Sequence, residues 1–168
     1  LMSNLPDKRT NNETILDLAD RIDVSQEDEI DFMENWLQQR DIELTSMSKK
    51  HHMHMNMVGM ATPKQLETLR DSKSTDFDRL FLQLMITHHD GAIEMVRELE
   101  KYPGSAHDPI FNEFVSDLIN DQSVEIERMN FIAVNLSDDP RAGLTAGLYF
   151  ADEAILNLEL IASLKKPV

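Results

Sequence analysis

The chain has no cysteine, which removes disulfides and thiolate metal sites together. Any transition-metal site must then use imidazole, carboxylate, amide oxygen or thioether. Basic residues are scarce, with 16 Lys and Arg against 31 Asp and Glu and a formal net charge of −15. Such a surface repels phosphate backbones and anionic lipid, so nucleic acid is not an expected partner. No apolar run approaches the roughly 20 residues that span a bilayer, and membrane insertion is not expected. No secretory-signal pattern opens the sequence as given. Gly-x-Ser-x-Gly, a phosphate-cradling Gly loop and His-Glu-x-x-His are all missing, so the chain reads as non-enzymatic and without an organic cofactor.

Methionine, by contrast, is plentiful, with ten in 168 residues. Filling core gaps is its ordinary use. After a polar opening, a helix is predicted from about Asn12 to Thr45, with Ile15, Leu18, Ala19, Ile22, Gln26, Ile30, Met33 and Leu37 as its stripe. Thr62 and Pro63 start a short helix to about Ser72. Long helices follow over about 74–101, 108–135 and 143–164. Trp36 is expected to pack in the core or at the C-terminal half of the first helix. Nothing reads as a strand, and the natural solution is one all-α domain, an antiparallel four-helix bundle over residues 1–168.

Two stretches carry the candidate chemistry. In the second long helix, Leu84, Met85, His88, Ala92, Met95 and Leu99 fall near one line, so His88 is expected to face inward and His89 one step round. The connector Ser46 to Thr62 alternates His51, His52 and His54 with Met53, Met55, Met57 and Met60, and Gly59 punctuates its end. Thioether is a soft donor suited to Cu(I) or Ag(I), and imidazole serves copper in both states. A second, weaker metal site in the connector is therefore a candidate.

The chain also matches itself. Gln26-x-x-Glu29-Ile30-x-x-Met33 recurs 96 positions on as Gln122-x-x-Glu125-Ile126-x-x-Met129. A Gln and a Glu aimed repeatedly at a core need partners there. One reading sets Met85, His88 and Met95 against Gln122, Glu125 and Met129 as a metal site. The other is a buried Glu–His hydrogen-bonded pair, with Gln tying neighbouring groups together. The first copy has no His-His helix beside it in this sequence, as if an upstream half-repeat were missing.

These motifs carry a resemblance. DRLFLQLMITHHDGAIEMV followed by DLINDQSVEIERM is similar to the bacterial domain-of-unknown-function 305 family. Its first motif falls on Asp78, Phe81, Met85, His88, His89, Ala92 and Met95, and its second on Asp121, Gln122, Glu125, Ile126 and Met129. Met57-Val58-Gly59-Met60 and Thr62-Pro63-Lys64-Gln65-Leu66 also match relatives. The resemblance spans about residues 12–136. It implies a ferritin-like bundle, usually exported to the periplasm or beyond, and some members bind copper or silver in metal tolerance.

The expectation is thus an exported copper-binding protein, with His88 and His89 as first ligands. Two alternatives stand beside it. A helical interaction module would bury an apolar face, such as that near Tyr149 and Phe150, against a second copy to form a homodimer. A ferritin-like metal oxidase would need Glu-x-x-His motifs, and no Glu in the chain has a His three residues on.

Overall fold

Asn12 turns the chain into its first long helix. In the computed structural model its side-chain carbonyl accepts the Thr14 backbone N–H at 3.2 Å, satisfying one donor that a helix start leaves open. The structure describes residues 2–42, 57–105, 107–139 and 142. Among them the chain is helical and contains no strand. Two 3-10 turns, Met2–Asn4 and Pro6–Lys8, precede α1 (Glu13–Gln38), α2 (Pro63–Asp71), α3 (Ser74–Glu100) and α4 (Pro109–Asn135). The helix expected over 143–164, with Tyr149 and Phe150, lies outside the described residues.

Local chemistry accounts for the ends. Thr62 and Gln65 form a reciprocal capping box at α2, with Pro63 in the first turn. Asp108 accepts the N–H groups of Ile110 and Phe111 at 3.0 and 3.1 Å and starts α4. The α1 helix stops at Gln38, not near Thr45, because Asp41 takes a left-handed φ of 53°. Ile42 and Asp41 then donate back to the carbonyls of Leu37 and Gln38, each at 3.1 Å, a closure that ends a helix.

Cross-helix contacts set the directions. His89 meets Glu125 and Arg79 meets the Leu136 carbonyl, so α3 and α4 are antiparallel. Glu29 meets Gln122 and Arg40 meets Asp108, so α1 and α4 are antiparallel as well. It follows that α1 and α3 run the same way, and Asn12 donates to Asp78 at 3.0 Å where both begin. The expected antiparallel order holds for α4 against both α1 and α3, which are parallel to each other. A crossover connection carries the chain back before α3, as in bundles with one long link.

The core joins Ile15, Leu18 and Ile22 of α1 to Phe77, Phe81, Leu82 and Met85 of α3, Leu69 of α2, and Met129 and Ile132 of α4. Each large side chain buried there contributes roughly 1.5–3 kcal/mol. Beyond Ile22 the expected stripe of α1 departs from the structure. Ile30 and Met33 are 46% and 40% exposed. The helix instead keeps a seven-residue step, placing Glu29 and Trp36 below Ile15 and Ile22. Phe32 stacks on Phe114 with centroids 4.1 Å apart, and Trp36 packs on Phe111 at 4.7 Å. The C-terminal half of α1 therefore meets α4 through aromatic rings, and the copy of the repeat on α1 is less buried than the copy on α4.

Candidate functional site

A seven-residue step also governs α3, from Asp78 to Met85 and from Leu82 to His89. It brings His89, not His88, fully inward. The His89 ring has no exposed surface, while His88 is half-buried. This corrects the expected order of the pair. His89 Nδ1 lies 2.9 Å from the Met85 carbonyl one turn back and donates to it. Nε2 lies 2.6 Å from Glu125 Oε2 on α4, and Glu125 is itself buried. One turn before Glu125, Gln122 donates through Nε2 to Glu29 Oε1 of α1 at 2.9 Å. This is the hydrogen-bonded arrangement of the two that the motifs left open. While both bonds stand, neither nitrogen of His89 has a free lone pair for a metal. Among the described residues no group of three or more His, Asp or Glu is placed to hold a metal ion.

Glu29 gives this network a pH dependence. Burial raises its pKa above the ordinary 4.5, against the hydrogen bond from Gln122 and the pull of His89, while Glu125 and Asp121 push it further up. A carboxyl raised on folding holds its proton more tightly in the native state, so stability falls as pH rises from 4.5 through the raised value. Glu29→Gln keeps an acceptor for Gln122 and removes the charge. The variant is expected to unfold at higher urea than wild type at pH 7, with the gap closing toward pH 4. A gap of constant size across that range would rule out Glu29 as its source.

His88 faces a different space. Together with Met2, Met60 and Met85 it lines a cavity of about 390 Å³, bordered also by Gln26 and Arg70. The pKa of His88 is lowered from its ordinary 6.5, mainly by burial and also by His89, against a backbone hydrogen bond at Gly59 that pulls it upward. Its imidazole is therefore neutral at pH 7, the form that binds metals.

Two glycines seat the Met57–Met60 turn, and with it Met60, against α3. Gly91 of α3 lies against the Met57–Met60 turn, and a Cβ there would sit 2.5 Å from the Val58 carbonyl oxygen and 2.6 Å from Gly59 Cα. Gly59 takes φ +81°, and a Cβ on it would lie 2.7 Å from the Thr87 carbonyl oxygen. Backbone thus packs on backbone, which only glycine permits at both positions.

The expected ligands are divided by the structure. Met85 is buried between the core and the cavity, and Met129 is fully buried in the core. Met95 is 41% exposed and lines no part of the cavity, which corrects its place among the ligands. Leu99 is also exposed, at 38%. Gln122 and Glu125 serve the network and do not face His88. Met57 is exposed at the start of its turn. His51, His52, His54, Met53 and Met55 lie outside the described residues. Sequence reasoning missed Met2, for which an isolated Met in a polar opening gives no signal. It also missed Gly91, although a glycine inside a helix costs about 1 kcal/mol against Ala and so marks a packing demand.

The profile of the domain of unknown function (DUF305) matches residues 1–133. Among solved structures the chain is similar to the crystal structure of a presumed secreted DUF305 protein from Streptomyces coelicolor. The two are 24% identical with a TM-score of 0.67, over 80% of this chain and 82% of that one. At that identity the likeness speaks for the fold alone. No curated protein matches the chain. Since the matched region takes in the crossover turn, α2, both His-His residues and nearly all of α4, this chain belongs to the DUF305 family.

Proposed function

We propose that the protein binds a soft monovalent metal ion, Cu(I) first and Ag(I) second, in the cavity beside His88, as an exported metal-handling protein without catalytic activity. The observation that carries this reading is that three methionines, Met2, Met60 and Met85, line one cavity together with a half-buried imidazole. Among the described residues no carboxylate lines that space, and neutral sulfur and nitrogen donors favour Cu(I) and Ag(I) over hard divalent ions. The presumed secretion of the Streptomyces coelicolor protein supports placement outside the cytoplasm. The His51 to Met57 run remains a second, weaker binding segment by its composition.

Competition with a Cu(I) chelator tests the reading. Submicromolar affinity is expected, with His88→Ala and Met60→Leu each weakening it by about tenfold or more. Because the His88 pKa is lowered, affinity should stay level through neutral pH and fall only in acid, where protons compete for the ring. Wild-type affinity no better than that of a scrambled His/Met peptide would end the copper role. The bonded Glu125–His89 and Gln122–Glu29 pairs favour a second reading, a helical module whose polar network is architectural. On that reading His88→Ala changes nothing, and light scattering reports a dimer.

A further inference from the structure

The cavity beside His88 is larger than a metal ion needs. Its volume is about 390 Å³, whereas a bare ion displaces no more than roughly one water, about 30 Å³. Small-molecule pockets run from roughly 300 to 1,000 Å³. Leu5, Ala61 and Leu66 line much of the remainder, and such a wall offers ordered water few partners.

Charge is a separate observation. The chain carries −15 overall, yet among the described residues this cavity is lined by no carboxylate, and the one fixed charge they bring to it is the guanidinium of Arg70. Arg70 is exposed on α2, and among the described residues its side chain forms no hydrogen bond or ion pair. The half-buried amide of Gln26 is likewise without a partner. An unpaired guanidinium beside an apolar hollow matches an anion that has an apolar body. Its fork fits a carboxylate through two parallel hydrogen bonds.

We infer that the cavity binds a small organic monocarboxylate, with its carboxylate on Arg70, Gln26 donating to it, and its apolar chain along Leu5, Ala61 and Leu66. This goes beyond the metal reading. It needs no metal, although both ligands would share the cavity.

The test is a titration of the metal-free full chain, with its methionine methyl groups labelled, against hexanoate, hexanol and hexylamine. Hexanoate is expected to shift the Met60 and Met85 methyl signals saturably, with hexanol at least about tenfold weaker for want of the charged pair. Arg70→Gln should bring hexanoate down to the level of hexanol while leaving the unfolding midpoint unchanged, since Arg70 holds no other group. Equal binding of hexanoate and hexanol, hexanoate binding unaffected by Arg70→Gln, or no saturable shift would each overturn the assignment. Ag(I) added to the same sample separates the two readings. Silver bound without hexanoate leaves only the metal reading standing, and hexanoate bound without silver leaves only the carboxylate.

Discussion

Glu125→Ala is expected to lower the unfolding free energy by about 3–5 kcal/mol, the cost of removing one partner of a buried hydrogen-bonded pair. The His89 ring has no exposed surface and its Nε2 faces only Glu125. Truncation therefore leaves a polar nitrogen in apolar surroundings with nothing to bond. Removing both partners is another matter. The double variant His89→Leu with Glu125→Leu exchanges the pair for apolar groups of similar size, and such exchanges are often near neutral. Urea unfolding of the two single variants and the double closes a cycle. A large single loss that the double variant recovers in most part is the expected pattern. If Glu125→Ala costs under about 1 kcal/mol, the pair does not carry the weight placed on it here.

Gly91→Ala is expected to detach the Met57–Met60 turn from α3 and to weaken Cu(I) binding as much as His88→Ala does. The new methyl would lie 2.5 Å from the Val58 carbonyl oxygen, too close for any side chain to stay without movement. Overpacking of this kind costs about 1–3 kcal/mol. Alanine returns about 1 kcal/mol of helix preference, so once the turn has moved away the global stability changes little. Unfolding is thus a poor readout, whereas the Met60 methyl resonance and amide exchange at 57–60 report the turn directly. Unchanged signals at both would show that Gly91 does not seat the turn.

Much of this fold can be read from local chemistry. Asn12, Thr62 with Pro63, and Asp108 with Pro109 each mark a helix start within a residue of its place, because capping depends on neighbours in the chain. The end of α1 escaped the same reading, since Asp41 adopts a conformation usually left to glycine. The helix faces were harder to read. A stripe drawn through Ile30, Met33, Met95 and Leu99 looks more apolar than one drawn through Glu29, Trp36 and His89. What decides between them is where α4 lies, and that is a tertiary fact. The Glu–His–Gln network was legible in kind from the repeated Gln and Glu, but which histidine it used was not. The cavity was not legible at all. Met2, Gln26, Met60 and His88 are far apart in sequence, and Met60 comes to this cavity on a turn that two glycines seat against α3.

The parallel course of α1 and α3 has a consequence for how the chain assembles. Bonds between α3 and α4 close loops of 36 and 57 residues, whereas those of α1 to α3 and α4 span 66, 68 and 93. Closing the longer loops takes more chain entropy before any contact repays it. The hairpin of α3 and α4, which closes the shorter loops, is then expected to form before α1 docks onto it. Gln26 belongs to α1, so in that order the wall it gives the cavity is expected to be completed late.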